Sequence, residues 1–416
     1  SDRRLRKADV VVIGGGIVGI ACARVLQRAG RQVVVIEAGE IGRGCSFGNA
    51  GLIAVDHIQP LARPEMLLDA FGMLTDPLGP LHLRWTSLPS LLPWLTCFAL
   101  AARPSKVKQG TQILAMLLRE AVGAWKRLVT DPGEQLLRHQ GYLTLFETAK
   151  AAKAAERESQ LLRQHSIRFE PVSASDIRTM CPALKRDVHV GRFYPDAIYT
   201  TDPFELVQSL YRSFVADGGT VIEGQRVREI LTEGGAAVGL KLPDSELSAS
   251  SIILAAGSGA PELIRPLGVK APLTSERGYH VMVDEREIAL NLPLLFAERG
   301  FVATPMAAGL RLAGTVELGA RAPDWKRADI LRRHAEELFD CPGLTERSRW
   351  FGDRPTLPDY LPMIGVVPGY RNVILAFGHQ HLGLTLAAVT AELVSEILQT
   401  GAPRLDISAL SASRFA

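Results

Sequence analysis

Ala8-Asp9-Val10-Val11-Val12-Ile13 runs directly into Gly14-Gly15-Gly16-Ile17-Val18-Gly19, and this stretch decides the fold. Its first six residues form a short Val-rich apolar run, the pattern of a parallel strand buried on both faces. A helix is expected over Ile17–Arg28, closed by Gly30. A second strand follows at 32–36 and ends at Glu37, 23 residues after Gly14. The chain therefore opens with a strand–turn–helix–strand unit carrying G-x-G-x-x-G and a downstream acid. Gly14 permits the tight turn, Gly16 lets the backbone approach a pyrophosphate, and Gly19 lets the helix pack close to the strand. The free N–H groups and dipole of the helix start face the phosphates. Glu37, with Ala38 beside it, would take the ribose hydroxyls.

Position and continuation choose between dinucleotides. The motif lies near the start of the sequence, as in many flavoproteins with a two-dinucleotide fold. After the acid comes Gly42-Arg43-Gly44-Cys45-Ser46-Phe47-Gly48-Asn49-Ala50-Gly51. A loop of small residues there can lay N–H groups along a second phosphate and a flat ring, which favours FAD over NAD. The plainer reading is a surface loop.

The 416 residues suggest two domains or one large interleaved unit. A hydrophobic share of 47% and a charged share of 22% exclude a disordered, collagen-like or coiled-coil chain. A net charge of +3 is too weak to argue for nucleic acid. Five cysteines, without C-x-x-C or zinc-ligand spacing, fit a reducing compartment and offer no metal site. Residues 1–9 lack an apolar core and cleavage pattern, so no secretory leader is expected. No internal repeat is visible.

Further strands are expected at 141–146, at 189–199 with a break at Pro195-Asp196, within 220–230, and at 251–256, 279–283, 301–304 and 311–317. Helices are expected at 151–164, 204–218 and 382–398. Residues 85–102 form an 18-residue run without a charge, holding Trp85, Leu88, Leu91, Leu92, Trp94, Leu95, Phe98 and Leu100. Arg84, Arg103, Lys106, Lys108, Arg119, Lys126 and Arg127 flank it, against Glu120 alone. Pro89 and Pro93 would break an early helix. The run reads as a buried helical hairpin of the second domain or as a monotopic patch on anionic lipid. A spanning helix fits less well, because it needs about 20 mostly apolar residues.

The N-terminal unit, the Ser46…Asn49-Ala50-Gly51 loop and the 252–257 strand resemble one family. So, above all, does the C-terminal run Trp350-Phe351-Gly352-Asp353-Arg354-Pro355…Pro358-Asp359…Pro362-Met363-Ile364-Gly365…Gly378-His379-Gln380-His381-Leu382-Gly383. The family is the FAD-dependent D-amino-acid oxidase and dehydrogenase superfamily, and the resemblance covers essentially the whole chain. It is closest to bacterial D-amino acid dehydrogenases, in the branch associated with D-hydroxyproline and D-proline.

The resemblance implies an α/β fold in which a Rossmann-like FAD-binding domain (1–60, 203–268 and 349–416) is interleaved with a mixed-sheet α+β substrate domain (61–202 and 269–348, including 81–128). It implies non-covalent FAD, held by Gly14, Gly16, Ile17, Val18, Gly19, Glu37, Ala38, Arg43, Gly44, Cys45, Ser46, Asn49, Ala50, Gly51 and Leu52. Val227 would meet the adenine, while Ala256 and Gly257 would let a strand end approach the dinucleotide. Gly378, His379, Gln380, His381, Leu382, Gly383, Leu384 and Thr385 would bring a helix start to the flavin pyrimidine edge, where reduction leaves negative charge. Arg354 would grip the substrate carboxylate with its planar fork. Tyr279, His280 and His379 are further candidates beside the substrate or flavin. Cys45 is the nearest cysteine to a covalent flavin link, which is not expected.

Two departures bear on the substrate pocket: Gln380-His381 replaces small residues, and Leu384 replaces an aromatic. The implied reaction is hydride transfer from a D-amino acid Cα to flavin N5. A quinone-type acceptor at the inner face of the cytoplasmic membrane is expected to take the electrons, with oxygen as the alternative. Two rivals remain, a glycine- or sarcosine-type oxidase and an FAD-binding subunit of a hetero-oligomer.

Overall fold

The structure is a computed structural model that describes residues 8–68, 72, 76, 79, 81–83, 85–130, 133–319 and 322–416. The opening unit forms β1 (Ala8–Ile13), α1 (Ile17–Arg28) and β2 (Val33–Ile36). β1 lies parallel between β2 and β3 (Glu246–Leu254), with Val10 opposite Val33 and Ser251. Thr220–Ile222 extends the sheet beyond β2, and Tyr370–Phe377 pairs parallel with β3. Two antiparallel strands, Ala236–Lys241 and Glu229–Glu233, complete its far edge. Gly14 turns the chain at φ +111°. A Cβ on Gly19 would lie 1.9 Å from the Gly14 carbonyl oxygen, so only glycine lets α1 start against β1.

A second, nine-stranded mixed sheet stands apart from the first. At one end β4 (Thr274–Val283) is antiparallel to β6 (Gly309–Leu318) and to β7 (Glu346–Thr356); β5 (Phe301–Met306) lies beyond β6. Side chains alternate along β4. Tyr279 and Val281 join the core under the helix Lys326–Phe339, while Glu276 and His280 face the other way, toward the first sheet's loops. The expected domain limit at 349 falls inside β7, so the strand carrying Arg354 belongs to the second sheet.

Some expectations change in detail. Residues 151–164 form two helices, Ala149–Ala154 and Glu156–Gln164, joined at Ala155. Tyr142–Phe146 is buried throughout because Leu143 and Leu145 face one core and Tyr142 another. In 220–230 the strand stops at Ile222 and resumes at Glu229, leaving Val227 in the connection.

Residues 88–128 make a helical hairpin of α2 (Leu88–Ala101) and α3 (Pro104–Leu128). Pro89 does not break α2, because in the first turn its missing N–H has no intrahelical partner to lose. Pro93 is accommodated inside the helix. α3 is buried against α1 and the last helix, α4 (Gly383–Thr400), and Trp125 Nε1 donates to the Leu384 carbonyl at 2.9 Å. α3 thus packs on the first sheet's helices, while α2 packs through Leu91 and Trp94 on Leu83, Leu318 and Tyr360 beside the second sheet. α2 buries only Leu91 and Trp94, leaving Leu92 and Leu100 open beside exposed Arg103, Lys106 and Lys108. Arg84 lies outside the described residues. Among those residues, only Gln380–Thr400 is long and apolar enough to cross a membrane, and it is mostly buried inside the protein.

Candidate active site

The crevice above β1 carries the features of a dinucleotide cradle. α1 begins after Gly16, whose own position makes no side-chain cap, and has no acid in its first turn, so the positive end of the helix suits an anion. The Ile17 N–H meets the Ser46 hydroxyl at 3.1 Å, and a Cβ on Gly16 would point at the same oxygen. Val18 follows in the first turn of α1. Glu37 closes β2 and accepts from the Gly15 N–H at 2.6 Å and the Gly39 N–H at 2.8 Å. The 223–228 connection runs beside it, with Gln225 N–H donating to the Glu37 carbonyl, and brings Val227 to this end of the sheet. Ala38 is exposed there. Ala256 and Gly257 follow β3; Gly257 has φ +52° and approaches Pro355 of β7.

The 43–51 loop bridges the two sheets. The Arg43 guanidinium stacks on Phe47 and Phe204, and Gly44 stands in open space. Three successive carbonyls, Gly48, Asn49 and Ala50, accept from His280 Nδ1 (3.1 Å), Arg311 Nη1 (2.7 Å) and Thr304 Oγ1 (2.8 Å). These donors come from β4, β6 and β5. The Asn49 side chain accepts from the Gly51 N–H. Leu52 meets the last helix, where its carbonyl accepts from Thr385 Oγ1 at 3.2 Å. His280 stacks on Trp350, and burial together with the Arg311 charge pushes its pKa down to about 3.

Arg354 lies across β4 on the same face. Its Nη1 is 3.2 Å from Glu276 Oε1, and Gly278 beneath has no side chain to displace the guanidinium. Glu276 is buried, with Thr356 and Tyr360 around it. Tyr279 stands on the opposite face, bonded to Glu317 and the Asp324 N–H, and does not meet Arg354. Cys45 keeps an open surface in the hollow near Arg354; crowding raises its pKa and Arg354 opposes the rise.

Gly378 turns at φ +77° into the 379–385 stretch. His379 points into the core, with Nε2 2.9 Å from Thr390 Oγ1, and burial lowers its pKa to about 3. Gln380 donates to the Tyr360 carbonyl, and its buried Oε1 has no partner among the described residues. His381 faces His57, ring centroids 5.4 Å apart, and its pKa falls well below the usual value through burial, His57 and Arg354. Leu382 leads into α4, which starts at Gly383 with no side-chain cap and no acid in its first turn.

The sequence reading gave no role to Glu276, Trp350, Thr304, Arg311, Asp56 or His57. Only the last two had a visible signal: a polar pair inside the apolar run Leu52-Ile53-Ala54-Val55-Asp56-His57-Ile58.

Residues 9–397 match the family described as FAD dependent oxidoreductase, DAO. The chain belongs to that family. It is 31% identical over 98% of both chains to a D-amino-acid oxidase of Bradyrhizobium diazoefficiens. It is 29% identical, again over 98% of each, to a D-amino acid dehydrogenase of Paramagnetospirillum magneticum. The fold matches the crystal structure of L-proline dehydrogenase from P. horikoshii, with TM-score 0.76, 19% identity and 98% of both chains covered.

The cradle fits the family's FAD. The positive start of α1 suits the pyrophosphate and Glu37 the ribose, while the start of α4 suits the negative edge of a reduced flavin. FAD supplies the two-electron acceptor of a DAO-family reaction. The 43–51 loop and Arg354 are the chain's own groups on this side of the crevice.

Proposed function

We propose that the protein dehydrogenates a D-amino acid, with D-proline or a hydroxy-D-proline favoured, and passes the electrons to a quinone-type acceptor. The observation that carries this reading is Arg354, a quarter exposed and set on the crevice side of β7 near Cys45 and His381. Its fork would hold the substrate carboxylate and present the Cα–H to the flavin. The full-length likeness to enzymes named for D-amino acids supports the substrate class. The cyclic substrate rests on the sequence resemblance described above. FAD contacts are assigned to the glycine cradle, the 43–52 loop, Val227, Ala256-Gly257 and the 378–385 turn. Tyr279 is set aside from the reacting centre, and His280 and His379 act from beneath the loop and the turn.

Anaerobic titration of the holoprotein with D-proline, cis-4-hydroxy-D-proline, D-alanine, sarcosine and an L-amino acid tests this. Bleaching of the flavin band by the D-cyclic compounds is the expected result. Bleaching by sarcosine alone, with fast reoxidation in air, would replace the reading with a secondary-amine oxidase. No bleaching would point to a missing partner subunit.

A membrane-facing reading rests on α2. Its outer side shows Leu92 and Leu100 next to Arg103, Lys106 and Lys108. We assign this side to the anionic inner face of the cytoplasmic membrane, where a quinone would be met.

A further inference from the structure

Asp56 is buried, yet it lies in a loop whose neighbours are almost all apolar. Tyr142 donates its hydroxyl to Asp56 Oδ1. The Tyr194 ring is tilted against Tyr142, centroids 5.1 Å apart, and burial and the Asp56 charge hold both phenols above their usual pKa. Arg192 stands behind Tyr194, paired with Glu158. The same Oδ1 faces His57, whose Nε2 lies 3.8 Å away. His57 has no hydrogen bond among the described residues: its Nδ1 is buried without a partner, and about a third of the side chain is open. The ring next to it is that of His381, which in turn feels Arg354. The row Tyr142–Asp56–His57–His381 thus leads from a buried anion to the guanidinium assigned to the substrate carboxylate.

The placement has a chemical use. An amino acid held by its carboxylate arrives with a protonated amine, which must lose a proton before its lone pair can assist departure of the Cα hydrogen. Arg354 repels a second cation, so the acceptor should be neutral at rest and backed by an anion once charged. Among the described residues no carboxylate acts on His381, and its protonation is opposed by burial, His57 and Arg354. His57 has Asp56 beside it.

We propose that His57 is the base that takes a proton from the substrate ammonium group, and that Asp56 is the positioning residue that holds the resulting imidazolium. The inference rests on the amino-acid dehydrogenase reading. An ammonium N–H bond breaks and an Nε2–H bond forms on His57. One proton moves, no electrons change hands, and the amine keeps the lone pair. Before the step Nδ1 carries the imidazole proton; after it the charge sits 3.8 Å from the Asp56 carboxylate.

The test is anaerobic flavin reduction by D-proline, followed in FAD-loaded wild type, His57→Asn and Asp56→Asn from pH 6 to 10. Wild type should rise with pH to a plateau. His57→Asn should keep the flavin spectrum and bind a carboxylate inhibitor, yet reduce about 100-fold more slowly at pH 7. Its rate should climb about tenfold per pH unit as the free amine forms unaided, and added imidazole should restore part of it. Asp56→Asn should move the wild-type limb to lower pH, because an imidazolium without its anion gives up its proton more readily. Superimposable profiles for His57→Asn and wild type would overturn this role and leave the proposed function standing. If His57→Asn does not take up FAD, the Asp56→Asn limb decides, and an unmoved limb overturns the proposal. Wild-type flavin reduced by no amino acid would overturn both.

Discussion

Arg354 has two partners to serve. In the folded chain it neutralises Glu276, which is 2% exposed, while its outer side stays open to a carboxylate. Arg354→Ala should therefore do two separable things. Loss of the fork should cost roughly 2–4 kcal/mol of substrate recognition, about 30- to 1000-fold in kcat/KM. The stranded Glu276 should cost a further ~3–5 kcal/mol of stability, seen as a fall in Tm. Arg354→Ala combined with Glu276→Gln should regain Tm but not turnover; a single variant with wild-type kcat/KM would remove Arg354 from the site. The sequence showed only half of this pair. Arg354 stands in a recognisable motif, whereas Glu276 lies 78 residues away and is joined to it only by the β4–β7 register. The same register separates Tyr279 from His280. Adjacent strand residues point to opposite faces, and nothing in the string Ser-Glu-Arg-Gly-Tyr-His says which face looks toward the cofactor loop.

The 46–51 loop shows how an element is held by another sheet. Its glycines were legible as a cofactor loop, but not the donors beneath it, which come from three strands whose order is set by long-range pairing. Thr304 is wholly buried and bonds the Ala50 carbonyl. Thr304→Val keeps the shape and leaves that carbonyl unpaired, a cost of about 1–2 kcal/mol. FAD affinity should fall about tenfold on titration of the apoprotein; an unchanged Kd would show that the loop does not need this clamp. Gly48 should tolerate less, since a Cβ there would lie 1.9 Å from the Trp350 ring. α2 makes the reverse case. Its lack of charge was plain in the sequence, but not its division into two sides. Trp94 faces inward, stacks with Phe98 and donates to the Thr356 carbonyl at the end of the Arg354 strand. Leu92 and Leu100 face outward. Leu92→Glu with Leu100→Glu should abolish sedimentation with anionic phospholipid vesicles while leaving turnover with a soluble acceptor intact. Retained sedimentation would move the contact elsewhere.

Across the whole molecule, the opening nucleotide unit was legible because its strand, turn, helix and second strand follow one another in sequence, from β1 through α1 to β2. The division between sheets was not, because the chain crosses from one to the other several times and each crossing is settled by pairing partners far away in sequence. The site is built at these crossings, and that places two histidines, His280 and His379, in buried positions as neutral rings with pKa values near 3. The consequence is global. In the unfolded chain each takes up a proton near pH 6.5, while the folded chain refuses it until about pH 3. The unfolded state therefore binds more protons throughout that window, and stability falls as pH drops through it. Each histidine should contribute on the order of 1 kcal/mol per pH unit. Carboxylates held low by arginine, such as Asp9 and Glu392, add to the loss only nearer their ordinary range, below about pH 4.5. Urea midpoints taken at pH 7.5 and pH 5 should therefore differ clearly, and His379→Gln should reduce the difference by removing one of these groups. A midpoint independent of pH over that interval would mean that these rings accept protons in the folded state, and that the loop and turn they support are open to water.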